Sequence, residues 1–162
     1  MWPSNEVYAG TTKIQTYPSF NRYSINSNPP ISGTHVIDIW LADLLGQPRV
    51  LLTDGRTFTI QETGMYSVKF SPQLVGIATE YLKETSQINL ISGDSRSNEP
   101  LAQSEINVQW VESGQQGAYL SELNYVGWLQ QGDELTFSIA NRSVSALTLL
   151  DTRTVLFISR IY

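Results

Sequence analysis

Apolar and polar residues alternate with a period of two along much of this chain, and turn residues interrupt the alternation at short intervals. In Thr57-Phe58-Thr59-Ile60-Gln61, Phe58 and Ile60 share one face. After Glu62-Thr63-Gly64, the run Met65 to Phe70 sets Tyr66, Val68 and Phe70 against Met65, Ser67 and Lys69. Period two is the spacing of a strand with one buried side. Two such runs joined by a glycine turn predict a hairpin. A short strand over 49–52 precedes them, closed by Asp54-Gly55, a dipeptide suited to tight hairpin turns.

The same reading gives strands over 87–91 and 106–111 around a polar loop, 92–100, and a segment apolar on both faces over 118–128. Gly132-Asp133 turns the chain into Leu135 to Ile139, which alternates cleanly, and 145–150 and 154–162 close it. Residues 34–41 read as a strand, although an extension to Leu45 also fits one helical face, and 77–84 fits a strand or a short helical turn. Short strands with turn signals every 8–12 residues predict an all-β sandwich or barrel. In the last segment apolar residues occupy both faces, as Phe157 and Ile158 show. A small sandwich has one internal core, so the second apolar face needs a cover outside it. The simplest cover is another copy of the chain.

The first 33 residues differ. They are rich in Ser, Thr, Asn and Pro, and aromatic residues stand singly at Trp2, Tyr8, Tyr17, Phe20 and Tyr23. Pro18, Pro29 and Pro30 bias their predecessors toward extended backbone. Ordering some thirty residues costs at least about 1 kcal/mol each, and aromatic anchors at roughly 2–3 kcal/mol each do not offset that alone. This predicts an extended arm over 1–33 that docks its five aromatics on a neighbouring subunit or a different protein, ahead of one domain over 34–162.

Composition narrows the function. The 162 residues carry 18 Ser and 14 Thr against 3 Lys, and the net charge is −5. Phosphate contacts need clustered Lys and Arg, so neither nucleic acid nor an anionic membrane is an expected partner. With no Cys, disulfide scaffolds, thiolate nucleophiles and thiolate metal sites are excluded. No apolar run reaches the roughly 18 residues of a membrane helix, and Met1 to Glu6 shows neither the basic region nor the apolar stretch of a signal peptide.

Several motifs together point to a family. Gly64 to Phe70, preceded by Asp54 to Ile60, resembles the hairpin signature of the complement globular-head and tumour necrosis factor superfamily. Leu129-Gln130-Gln131-Gly132-Asp133-Glu134-Leu135-Thr136-Phe137 is similar to its later Leu-x-x-Gly-Asp segment, and the terminal strand around Leu156-Phe157-Ile158 is similar too. The resemblance covers residues 49–162. It implies a ten-stranded jelly roll assembled as a tight homotrimer, its inner sheets meeting along a threefold axis. Tyr66, Phe70, Phe137, Phe157 and Ile158 are then core or trimer-interface residues. The Gly-X-Y stalk and the cysteines of many animal members are absent, which favours the viral and bacterial surface types.

Catalytic chemistry finds little support. His35 is the one histidine, and no Gly-x-Ser-x-Gly elbow or spaced acid accompanies it. Asp94, Asn98 and Glu99 are oxygen donors, but their spacing misses a calcium loop. Asn141-Arg142-Ser143 is a glycosylation sequon. Trp40, Trp110 and Trp128 sit in apolar strands, where the core or an interface is expected. The expected function is therefore non-enzymatic and cofactor-free: a homotrimeric jelly-roll head anchored by its arm to a larger assembly such as a capsid, as a decoration protein or spike head. That places it on a virion surface or outside cells after release. The alternative is a soluble trimeric head that binds a cell-surface receptor or a glycan.

Overall fold

The computed structural model describes residues 6–9, 12–15, 19–45, 50–77, 82–91, 98–108, 116–120, 122–141 and 147–161. Every regular element in them is a strand. A first hairpin, β1 (Glu6–Ala9) and β2 (Thr12–Gln15), forms a sheet of its own. β3 (Ser19–Ile25), β4 (Pro30–Ile31), β5 (Gly33–Val36) and β6 (Trp40–Leu45) follow. Next come β7 (Val50–Thr53), β8 (Thr57–Ile60), β9 (Gly64–Ser71), β10 (Gln73–Ile77), β11 (Leu82–Ile91) and β12 (Asn98–Val108). The chain continues through β13 (Gln116–Leu120), β14 (Leu123–Leu129), β15 (Glu134–Asn141), β16 (Leu147–Leu149) and β17 (Val155–Arg160).

Two large antiparallel sheets make a sandwich. One has the order β14-β9-β17-β3-β6 and the other β12-β11-β15-β8-β7. Along one edge of β15, β8 pairs with Glu134 and Leu135 while β5 pairs with Ser138 to Asn141. A smaller sheet, β13-β10-β16-β4, carries the buried Ile31, Leu74, Leu147 and Leu149. Asn141, itself buried, donates its Nδ2 to the Ile31 carbonyl at 2.8 Å and ties β15 to β4. The sequon asparagine is thus a structural clamp.

The core is aromatic and spans both large sheets. Trp40 and Phe70 from one meet Phe58 and Phe137 from the other edge-to-face, with centroids 5.2–6.2 Å apart. Tilted ring pairs of this kind add to the area they bury. Tyr66, Val68, Leu156 and Ile158 complete the inner face of the five-stranded sheet, all fully buried.

Several sequence expectations change here. β8 and β9 are not a hairpin: β8 pairs with β7 and β15, whereas β9 pairs with β14 and β17. The turn at residues 61–63 carries the chain between the layers, and the two alternating faces meet across the core rather than side by side. Residues 34–41 are no single strand or helix; β5 and β6 lie in different sheets, with 37–39 crossing between them. Residues 98–100 belong to β12 rather than to a loop. The tight turn does form, with left-handed Asp54 (φ 54°) and Gly55 (φ 63°), and a Cβ on Gly55 would press against the Asp38 carbonyl.

The largest revision concerns the arm. β3 lies in the middle of the five-stranded sheet, between β17 and β6. The described sandwich therefore starts at Ser19, ahead of the boundary expected at residue 33. Tyr23 is not a docking anchor; it is fully buried, with its ring 4.7 Å from Phe58. The alternation of β3 was hidden because its inward set, Asn21, Tyr23 and Ile25, opens with an amide, while its outward set begins with Phe20.

The Tyr23 hydroxyl is buried without a hydrogen-bond partner among the described residues, and burial pushes its pKa up to about 12. An unpaired buried hydroxyl contributes little or costs stability. Tyr23→Phe should be neutral or slightly stabilising at pH 7. Above pH 10 the unfolded chain ionises this phenol while the fold holds it neutral. Stability therefore falls as pH rises toward 12, by about 1.4 kcal/mol per unit for this group. Denaturation of the two proteins at pH 7 and pH 11 should show a smaller alkaline loss for Tyr23→Phe, and parallel losses would refute it.

Candidate interaction face

The outward side of the five-stranded sheet follows from the registers. Inward residues fix outward ones by alternation, so Val126 and Trp128 on β14, Met65, Ser67 and Lys69 on β9, Val155, Phe157 and Ser159 on β17, and Phe20, Arg22 and Ser24 on β3 share this side. Trp128 stands opposite Met65 and Val126 opposite Ser67. Ser159 lies between Ser67 and Phe20, and Phe157 between Lys69 and Arg22. Leu41 on β6 faces Ser24 at the far edge.

The face is apolar at its β14 edge and at its centre, with Leu41, 49% exposed, by itself at the β6 edge. On β14, Trp128 and Val126 are each 63% exposed. In the middle, the Phe20 and Phe157 rings lie 5.3 Å apart, with Phe20 46% exposed. Ile161, also exposed, extends β17 by donating its amide to the Met65 carbonyl at 2.8 Å. Between the edge patch on β14 and the centre lies β9, with Met65 beside Trp128, the small Ser67, and Lys69, which meets Glu122 at 3.5 Å; beyond the centre, Arg22 meets Asp43 at 4.0 Å. Ser24 donates to the same Asp43 carboxylate at 2.7 Å. The cations beside Phe157 thus carry counter-charges within their own chain, which lowers the cost of covering them.

Gly127 shapes the β14 part of this face from behind. The Tyr125 side chain lies across it on the inner side, and a Cβ there would run into the Tyr125 hydroxyl. Burial and, next, the Asp133 carboxylate raise the pKa of Tyr125. Asp133 is itself buried and accepts the Gln130 amide at 2.8 Å in the turn that ends β14. Gly132 (φ 93°) supplies the left-handed position there.

The expected site residues divide between the two faces. Tyr66, Phe70, Phe137 and Ile158 point into the core, as does Tyr23. Phe157 and Phe20 point outward and touch each other. Tyr8 falls in β1, opposite Lys13, while Trp2 and Tyr17 lie outside the described residues. Trp40 is core, Trp110 lies outside the described residues, and Trp128 is on the surface. Val126 was missed because Gly127 occupies an inward position, so 118–128 read as apolar on both sides. His35, half-buried on β5, pairs in register with Ile139. Among the described residues, no three His, Asp or Glu side chains come together in a way that would hold a metal ion. Asp94 of the loop considered for calcium lies outside them.

No family model and no curated protein matches the chain. Solved structures do. The structure of Eiger TNF from S. frugiperda superposes with a TM-score of 0.70 at 15% identity, over 90% of this chain and 94% of that one. Murine APRIL at pH 5.0 superposes with a TM-score of 0.67 at 16% identity, over 90% of this chain and 100% of that one. The fold is the tumour necrosis factor jelly roll. Identities this low establish the architecture alone.

Proposed function

We propose that the protein is a non-enzymatic homotrimeric binding head. The observation that carries this reading is the second apolar face, with Trp128 and Val126 at its β14 edge and Phe20 and Phe157 at its centre. Two different patches on one face favour a heterologous contact, in which the edge of one copy packs on the centre of the next. Such contacts close into a ring when the rotation between successive copies divides a full turn, and otherwise run on as a filament. The likeness to tumour necrosis factor jelly rolls supports three copies in that ring. Loops and outer sheet then remain free for a receptor or glycan. The segment before Ser19 supports display on a larger assembly, with a virus particle or extracellular surface as the setting, because among the described residues its strands pair with nothing in the sandwich.

Light scattering coupled to size exclusion tests the assembly. The expected result is a mass three times that of the 18.1 kDa chain at micromolar concentration. A monomer would overturn the reading.

A further inference from the structure

We infer that the β1–β2 hairpin is exchanged between copies, each hairpin closing over Trp128 on β14 of the next copy; this rests on the trimeric reading above. The hairpin register sets Glu6 opposite Gln15, Val7 opposite Ile14, Tyr8 opposite Lys13 and Ala9 opposite Thr12. Glu6–Gln15 and Tyr8–Lys13 thus alternate with Val7–Ile14 and Ala9–Thr12, so the second set gives the ribbon a side free of charge. Two strands alone are at best marginal in water and need a third strand or a surface to pack on. Among the described residues, neither strand pairs with any other.

The tether and the contact between copies together decide where that surface lies. Residues 16–18 link Gln15 to Ser19, and a connection of four residue steps spans at most about 14 Å. Ser19 stands opposite Arg160, at the end of the sheet that holds Ile161, Met65 and Trp128. Within its own copy, Trp128 lies three strands from β3, about 14 Å at the usual 4.8 Å spacing. Reaching it there would lay the hairpin across Phe20 and Phe157, the centre that a neighbouring copy needs. In a ring, the next copy's β14 is brought to this centre instead, beside the point where the hairpin leaves β3. The exposed indole of Trp128 then has Phe20 and Phe157 on one side and the hairpin on the other.

The cysteine-free chain makes this directly testable. Full-length Thr12→Cys and Gln130→Cys chains with different tags are co-expressed and treated with a short thiol cross-linker. Gln130 is exposed and lies just past the Trp128 end of β14. Asn124→Cys, exposed at the other end of β14, replaces Gln130→Cys in a parallel pair. The expected result is a covalent dimer carrying both tags, about tenfold more abundant with Gln130→Cys than with Asn124→Cys, as proximity raises the effective concentration at one end only. Light scattering on the same samples separates two failures. A trimer with no cross-link, or with equal cross-linking at both ends, overturns the exchanged hairpin alone. A monomer overturns it together with the trimeric reading.

Discussion

Ile158→Asp is expected to abolish folding, while Phe157→Asp leaves a folded chain that no longer trimerises. The residues are adjacent in β17 and point to opposite sides of the sheet. Ile158 is fully buried beside Val68 of β9, its register partner. An unpaired carboxylate there loses its hydration and finds no counter-charge, a cost of several kcal/mol against a typical total stability of about 5–15 kcal/mol. Phe157 lies on the outward side, between Lys69 and Arg22 and against Phe20. Asp at this position is well tolerated in a single copy, where both cations are within reach. At a subunit contact it replaces an aromatic anchor, a change that typically costs 2 kcal/mol or more. A ring repeats that loss at every contact. Circular dichroism should show native β signal for Phe157→Asp and none for Ile158→Asp, and light scattering should give Phe157→Asp the mass of one chain. A trimeric Phe157→Asp protein would place the contact elsewhere.

The fold was most legible where one face of a strand is uniformly apolar. Phe58 and Ile60, Tyr66, Val68 and Phe70, and Leu135, Phe137 and Ile139 are all fully buried, and each set follows from a period of two alone. Pairing was not legible, because alternation records which side of a strand is buried and not which strand lies next to it. That is why β8 and β9 looked like a hairpin while belonging to opposite layers. Alternation was hidden where a polar residue takes an inward place, as Asn21 does in β3, or where glycine does, as Gly127 does in β14. The candidate face was half legible. Two adjacent apolar residues, Phe157 and Ile158, announce that both sides of the last strand need cover, but only the register assigns Ile158 inward and joins Phe20 to Phe157.

The arm carries the same lesson in energetic terms. Its composition is polar and proline-rich, so on sequence it has too little to bury to order itself. Part of it needs no such balance of its own, because β3 borrows a core. Tyr23 and Ile25 pack into the sandwich, while the backbone of β3 is paired on both sides, by β17 and β6. Local composition misjudges a segment whenever its hydrogen-bonding partners lie more than a hundred residues away, as the pairing of Tyr23 with Leu156 illustrates.

Phe137→Ala should produce the largest stability loss of any truncation that leaves the protein folded. Phe137 sits in the middle of β15, and its ring meets Phe70 at 5.2 Å, Phe58 at 5.4 Å and Trp40 at 6.1 Å. Two of those rings, Phe70 and Trp40, belong to the opposite sheet, so this side chain joins the two layers. Removing it loses the transfer energy of the ring and leaves a cavity whose aromatic walls cannot easily collapse, typically about 3–5 kcal/mol. For a chain of this size each kcal/mol lowers Tm by about 2–4 °C, giving a fall of roughly 6–20 °C. Leu51→Ala is the matched control, since Leu51 is 54% exposed on β7 and should change Tm little. Both variants need comparison at one protein concentration, because assembly makes Tm depend on it. If Phe137→Ala and Leu51→Ala melt together, the two sheets do not share the aromatic core that these ring contacts describe.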